Sequence, residues 1–166
     1  MSEQRIPGDP AQFAGTSEHS QQVALFAAVA QYVDSVPELA WLHAIPNGGS
    51  RGDGTKRGAM IAGANMKAEG VKKGVYDLHL PVARHGYHSF YIELKAPGVI
   101  KREPNGEVRV GRNGVPMDGR SAEQRAFCEF AVIEANLTAV FDSWSDALKA
   151  LMWYLGFEHS KAWELL

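Results

Sequence analysis

The chain has 166 residues, of which 45% are hydrophobic and 22% charged, and its net charge at pH 7 is −2. This length and composition suit a single globular domain with its own core, and no apolar run approaches the roughly 18 to 20 residues that span a bilayer. The N-terminal residues MSEQRIPGDP lack the basic-then-apolar pattern of a secretory signal, and the single cysteine, Cys128, excludes an intrachain disulfide and a multi-cysteine zinc site. We therefore expect a cytoplasmic protein with no membrane partner.

The first half of the chain predicts two helices and one strand. Ser17 is a suitable N-cap for a helix through EHSQQVALFAAVAQYV, which Pro37 ends. LAWLHAI is predicted to be a short strand, and PNGGSRGDG is a polar, glycine-rich loop. AMIAGANMKAEG then predicts a short helix that stops at Gly70.

The second half predicts a strand hairpin, a long polar stretch and a helix, strand and helix. VYDLHL and SFYIELK are predicted to pair as the hairpin. Residues 96–120, with two Asn-Gly dipeptides, predict a small inserted hairpin or flexible flap. SAEQRAFCEFAVIEAN is predicted helical, LTAVF a strand and SWSDALKALMWYLG a final helix. The order of elements predicts an α/β fold.

The predicted domain boundaries follow the turn residues near the two ends. Residues 1–15 contain two prolines and two glycines and are predicted to be a flexible N-terminal arm. Residues 16–156 form the predicted domain, into which 96–120 are inserted, and residues 157–166 form a tail.

Two acids and a lysine are predicted to converge on one face of the hairpin. Side chains alternate along a strand, so Glu93 and Lys95 share a face, and a simple hairpin register centred near Gly86 brings Asp77 opposite Glu93. Like charges across a ladder repel, which makes a hard divalent cation such as Mg²⁺ the natural partner. Lys95 could then orient or deprotonate an attacking water or stabilise a phosphate in its transition state. The alternative is a cross-strand salt-bridge group on a solvated face.

The charge distribution is less even than the net charge. The segment from residue 51 to residue 73 carries an excess of basic side chains that suits contact with phosphates. The alternative is a solvated loop with an incidental charge excess. The basic residues are Arg51, Lys56, Arg57, Lys67, Lys72 and Lys73.

The ordered series SEHSQQVALF, AIPNGG, MKAEGVKKGVYDLHLP, YIELK and SAEQRAF resembles the virus-type replication-repair nuclease (VRR-NUC) group of the PD-(D/E)xK superfamily, including its small stand-alone phage members. The resemblance covers residues 17–155. It implies a restriction-endonuclease-like fold with a central mixed sheet flanked by helices. It also implies a Mg²⁺- or Mn²⁺-dependent deoxyribonuclease acting on branched DNA, either Holliday junctions or flaps, in phage replication, recombination or repair.

The resemblance assigns roles residue by residue. It makes Asp77, Glu93 and the backbone carbonyl of Leu94 metal ligands, with Lys95 as the catalytic lysine. Glu18 would face the metal from the first helix, although an acid is favoured in the first turn of any helix. The resemblance also makes Gln124 of the S-x-x-Q element a catalytic residue, whereas the alternative is a capping box between Ser121 and Gln124, which requires no substrate.

Asn47 and Arg51 are implied to contact DNA from the loop after the first predicted strand. The chain departs from the family pattern in two places: Tyr76 replaces the usual proline before the first acid, and the connection at 96–120 is unusually long. Cutting a four-way junction symmetrically needs two active sites, so we expect a homodimer. The alternatives are a non-catalytic DNA-binding module and a phage structural or adaptor protein.

Overall fold

The computed structural model describes residues 9–46 and 55–157. Its helices are α1 (Glu18–Tyr32), α2 (Lys56–Ala68), α3 (Ala122–Ile133) and α4 (Trp144–Tyr154), and its strands are β1 (His43–Ala44), β2 (Leu78–Leu80), β3 (Phe90–Leu94) and β4 (Leu137–Phe141). Within these two ranges no helix has the length and apolar character needed to cross a membrane.

The four strands form one mixed sheet in the order β1-β2-β3-β4. β1 pairs antiparallel with β2, and β2 with β3, whereas β4 lies parallel to β3. Leu78 is opposite Ile92, which confirms the predicted hairpin register. With helices on both faces of the sheet, the predicted α/β class is also confirmed.

Alternation along β3 divides the sheet into a core face and a site face. Phe90, Ile92 and Leu94 belong to the main hydrophobic cluster together with side chains of α1 and α4. Tyr91 and Glu93 point the opposite way, toward α3. The apolar face of β3 therefore supplies the core, and its other face is available for a polar site.

A serine or threonine precedes each of the four α-helices and caps its first turn, where backbone N–H groups lack partners within the helix. Ser17, Thr55, Ser121 and Ser143 each accept a hydrogen bond from the backbone N–H three residues later. The predicted starts of α1, α3 and α4 are confirmed, whereas α2 begins three residues before the predicted start.

Two predicted strands are shorter than their sequence patterns indicated. LAWLHAI begins inside a 3-10 helix (Pro37–Trp41), because proline fixes the φ of a first helical turn, and only β1 remains extended. VYDLHL becomes extended only at Leu78, since the chain bends at Asp77. A regular strand would place Tyr76 on the same face as Leu78 and Leu80, but beyond the bend Tyr76 packs against Phe127 of α3 instead.

Residues 99–118 form a folded unit, here called the meander, within the predicted insertion at 96–120. Its three extended segments meet at a central row, where Arg109 N–H donates to Lys101 O at 2.7 Å and Met117 N–H donates to Arg109 O at 2.8 Å. The first and last segments are also joined, since Lys101 N–H donates to Met117 O at 2.9 Å. Each of the two Asn-Gly dipeptides lies in a turn between successive segments.

The end of the predicted N-terminal arm is folded against α1. Pro10–Phe13 is a 3-10 helix, and Pro10 is buried. Gln21 Nε2 donates to Gly15 O at 2.7 Å, which ties the segment to α1. Residues 1–8 and 158–166 lie outside the described residues.

Candidate metal and catalytic site

The candidate site is built on the carboxyl end of β3. Glu93 and Lys95 are 1% and 7% exposed, and Lys95 Nζ donates to Glu93 Oε1 at 2.7 Å. Lys95 keeps the strand geometry, because its N–H donates to Phe141 O of β4 at 2.8 Å. A buried carboxylate and ammonium are costly unless they are paired, so this pair requires further polar partners or a ligand.

Asp77 is fixed beside the end of β3 by two backbone hydrogen bonds. Its Oδ2 accepts from Leu94 N–H at 2.9 Å, and its carbonyl accepts from Ile45 N–H at 2.7 Å. The predicted convergence of Asp77 with Glu93 and Lys95 is therefore present, although Asp77 reaches it from a bend rather than from within β2. Burial raises the pKa of Glu93 to about 7; the charge of Asp77 adds to the rise and Lys95 opposes it.

The donor atoms at this point fit a hard divalent cation. Glu93 Oε2 is buried and has no hydrogen-bond partner. A cation bound by Glu93 and Asp77 would satisfy that oxygen and relieve the repulsion between the two acids. In the described ranges no three His, Cys, Asp or Glu side chains are arranged to hold a metal. Two carboxylates and a backbone carbonyl would leave coordination positions for water and phosphate, as Mg²⁺ commonly requires.

Gln124 caps its helix and also contacts the buried pair. Its Oε1 accepts from Ser121 N–H at 2.9 Å, which completes the capping box of α3. Its Nε2 donates to Glu93 Oε1, and its Oε1 lies 3.2 Å from Lys95 Nζ. The first turn of α3 is thereby joined to the buried pair.

Glu18 lies at the edge of the same cluster. It is the first residue of α1, and its Oε1 is 3.9 Å from Lys95 Nζ. Its side chain is 56% exposed, unlike that of Glu93. The structure brings Glu18 to the site, and its role as a metal ligand remains a prediction.

A second buried ionic group, which sequence patterns did not reveal, lies next to the site. Asp118 is 4% exposed and pairs with Arg120 at 2.7 Å and with Arg125 of α3 at 2.8 Å. Arg120 also donates to the hydroxyl of Tyr76 at 3.0 Å. We call Asp118, Arg120 and Arg125 the clamp, since they join the end of the meander to α3 and to the segment that leads into Asp77. DGR in a polar stretch is typical of a turn, so only the fold reveals the clamp.

Gly119 allows the clamp segment to lie against the lysine of the site. Its φ is +77°, and a Cβ at this position would lie 3.4 Å from Lys95 Cδ and would overlap Val99. Glycine is thus required both for the backbone conformation and for the close approach.

A row of rings crosses the site face beside Glu93. His43, His79, Tyr91 and Thr138 are aligned across the four strands. His79 stacks on Tyr91 with ring centroids 4.3 Å apart, and Phe127 makes an edge-on contact with Tyr91. Burial, with a smaller contribution from His43, lowers the pKa of His79. The ring contacts account for this histidine as a packing residue of the site face.

The predicted basic segment is largely exposed around α2. Lys56 and Arg57 begin this helix, which buries none of its residues. Lys67, Lys72 and Lys73 line a cavity of about 620 Å³ at its other end, together with apolar side chains. Lys73 also pairs with Glu123 at the start of α3. The predicted contacts Asn47 and Arg51 lie outside the described residues.

Comparison with known proteins supports the fold. One solved structure, described as a VRR_NUC domain protein, superimposes with a TM-score of 0.51 over 87% of this chain and 93% of its own, at 17% sequence identity. No family model and no curated protein matches the sequence. At this identity the likeness shows a shared fold.

Proposed function

We propose that this chain is a metal-dependent, structure-specific DNA endonuclease of the phage VRR-NUC type, which hydrolyses phosphodiester bonds in branched DNA. The observation that carries the proposal is the buried Glu93–Lys95 pair beside Asp77, in which Glu93 Oε2 has no partner. If the pair were only a structural salt bridge, we would expect both oxygens of the buried Glu93 carboxylate to have hydrogen-bond partners. The nuclease-like fold of the VRR_NUC domain protein is consistent with it.

The proposed ligands are Asp77, Glu93 and the carbonyl of Leu94, with Glu18 at the outer edge of the site. A Mg²⁺ or Mn²⁺ ion bound there supplies charge neutralisation for the phosphate and makes water a better nucleophile. Asp77 is pre-oriented by the Leu94 N–H, so binding requires little rearrangement of that side chain.

Lys95 is proposed as the catalytic lysine. Its ammonium group is enclosed by Glu93 Oε1 at 2.7 Å, Gln124 Oε1 at 3.2 Å and Glu18 Oε1 at 3.9 Å. These acceptors hold Nζ next to the proposed metal ligand Glu93. From there it can orient the attacking water and stabilise charge that develops on the phosphate oxygens. Gln124 is proposed to hold Lys95 and Glu93 in register with each other.

The proposed substrate is recognised by its shape. The basic side chains of α2 and the loop after it, including the cavity lysines Lys67, Lys72 and Lys73, meet phosphates as point charges that carry no sequence information. Two cuts are needed to resolve a four-way junction, so a homodimer is part of the proposal. The proposed location is the cytoplasm of a phage host.

Cleavage of labelled linear, flapped and four-way DNA in Mg²⁺, Mn²⁺ or EDTA tests the proposal. Lys95→Ala and Asp77→Asn should each reduce cleavage at least about 100-fold, since a positioned charge or ligand is worth 10² to 10³ in rate. The amide in Asp77→Asn can still accept from Leu94 N–H, so this variant keeps the local fold. Lys149→Ala removes an equal charge from α4 and should cleave normally. Metal-dependent cleavage by Asp77→Asn at the wild-type rate would refute the assignment, and DNA binding without any cleavage by the wild type would favour a non-catalytic module.

A further inference from the structure

The outer face of the meander is exposed and partly apolar, although the unit itself is well ordered by hydrogen bonds. In its antiparallel register Lys101, Arg109 and Met117 form one row on this face, and Val115 lies beside Met117 along the last segment. Met117 and Val115 are 42% and 39% exposed. These two apolar side chains thus lie beside basic side chains on the solvent-facing surface of the meander.

The tip of the meander carries a cation that its neighbours do not neutralise. Lys101 Nζ donates to Gly98 O, and Arg109 pairs with Glu103 at 2.9 Å. Arg112 lies in the turn between the second and third segments and is exposed. Across the described ranges the structure gives the Arg112 guanidinium no hydrogen-bond or ion-pair partner. It is therefore available to an external anion.

The meander is fixed to the end of β4, beside the proposed catalytic lysine. Asp142, at the end of β4, accepts from Gly98 N–H at 3.1 Å and from Ile100 N–H at 3.3 Å. At the other end the clamp anchors Asp118 to α3, and Gly119 lies against the side chain of Lys95. A partner bound to the meander is thus held at a defined position relative to Lys95.

We propose that the meander binds an arm of branched DNA next to the cleaved bond and determines the preference for a branch over a continuous duplex. Arg112 contacts a backbone phosphate. Met117 and Val115 pack on the base-pair face that becomes unstacked where duplex arms separate, an apolar surface that a continuous duplex does not expose. The cleavage preference rests on the proposed function, whereas the binding preference is measurable without catalysis.

Binding of wild type and variants to linear, flapped and four-way DNA in EDTA tests this inference by fluorescence anisotropy at several salt concentrations. Arg112→Ala should weaken binding to all three DNAs and reduce the slope of log K against log salt by about 0.9, the value for one phosphate contact. The double variant Val115→Ser and Met117→Ser should lose about fivefold or more in affinity for branched DNA, with little change for linear DNA or for the salt slope. Lys149→Ala, on the opposite side of the sheet, is the matched charge control.

The outcomes separate this inference from the proposed nuclease function. Variants that bind all three DNAs within twofold of wild type, or a charge variant that behaves like Lys149→Ala, would overturn the role of the meander even if cleavage is normal. The same holds if the wild type binds no DNA. Variants with the expected binding losses in a protein that cleaves nothing would support the meander as a DNA contact and refute only the nuclease proposal.

Discussion

Replacing the buried carboxylate of the clamp by an amide isolates its charge at nearly constant volume. In Asp118→Asn the two guanidinium groups of Arg120 and Arg125 lose their shared counter-ion. Four contacts are affected: Asp118 accepts from Arg120 N–H at 3.0 Å, Arg120 Nε at 2.9 Å and Arg125 Nη2 at 2.8 Å, and pairs with Arg120 Nη2 at 2.7 Å. The substitution therefore loosens the attachment of the meander to α3.

The expected loss of stability is about 2 kcal/mol, below the roughly 3 to 5 kcal/mol for breaking a fully buried ion pair. The loss is smaller because the side chains of Arg120 and Arg125 remain 17% and 23% exposed, so water can solvate them in part. The amide oxygen also keeps one acceptor. For a domain of this size, each kcal/mol corresponds to roughly 2 to 4 °C in Tm, so the expected decrease is about 4 to 8 °C.

The pH dependence of the stability difference between wild type and Asp118→Asn provides a second test of the role of the Asp118 charge. Burial opposes ionisation of Asp118, but the hydrogen bonds and charges of Arg120 and then Arg125 outweigh it and hold its pKa below the ordinary value. A carboxyl with a lowered folded pKa stabilises fully above the unfolded pKa of about 3.9 and loses that contribution as the pH falls through the folded pKa. The stability difference between wild type and Asp118→Asn should be constant from pH 8 to pH 5 and shrink below about pH 4.

Urea unfolding at several pH values measures the global effect, and amide hydrogen exchange at Lys101 and Met117 measures opening of the meander alone. Asp146→Asn is the matched control, since the Asp146 side chain is 53% exposed and pairs with Lys149 three residues later. The control should change stability by less than about 0.5 kcal/mol. If the two variants lose the same stability, or if meander exchange is unaffected in Asp118→Asn, the reasoning about the clamp is wrong.

Three further predictions concern the backbone, α3 and the cation. Gly74→Ala should lower the free energy of unfolding by roughly 3 kcal/mol, because the added Cβ would lie 2.5 Å from the backbone of α3. Gly70 has the same φ of +89° but open space around it, so Gly70→Ala should lower stability by only about 1 kcal/mol. Thermal melts of both variants measure the difference. Ser121→Ala should lower stability by about 1 kcal/mol with little loss of cleavage, whereas Gln124→Ala should lower both, since only the latter removes contacts to the buried pair; equal cleavage by the two variants would contradict a site role. Mn²⁺ at about tenfold its Kd should raise the free energy of unfolding of the wild type by about 1.4 kcal/mol and should not change that of Glu93→Gln. Equal stabilisation of the two proteins by Mn²⁺ would show that the ion binds elsewhere.

Local rules account for most of the fold and for the centre of the site. Period-two alternation was enough to place Glu93 and Lys95 opposite the apolar face of β3, and hairpin symmetry was enough to pair Leu78 with Ile92. Serine caps marked the starts of α1, α3 and α4 because capping depends on residues only three positions apart, whereas Thr55, which caps α2, was missed. The sequence could not indicate the bend that turns Tyr76 toward α3, since β-branched and aromatic residues favour extension there and tertiary contacts override that preference.

The clamp was unpredictable for a different reason. Asp118 and Arg120 look like a polar turn, and their burial follows from contact with Tyr76, 44 residues away from Arg120. Such contacts depend on where the meander lies on α3, which no pattern within 96–120 encodes. Long-range packing, rather than local propensity, therefore buries this ionic group.

The hydrogen bond that closes the meander, from Lys101 N–H to Met117 O at 2.9 Å, joins the two ends of the unit. Because loop-closure entropy grows slowly with length, the chain between these ends could shorten or lengthen at small cost while Lys95 and the clamp stay in place. The meander is therefore an exchangeable unit beside a framework that holds the proposed catalytic lysine. If the proposed function holds, evolution or design can change the surroundings of the scissile bond without rebuilding that framework.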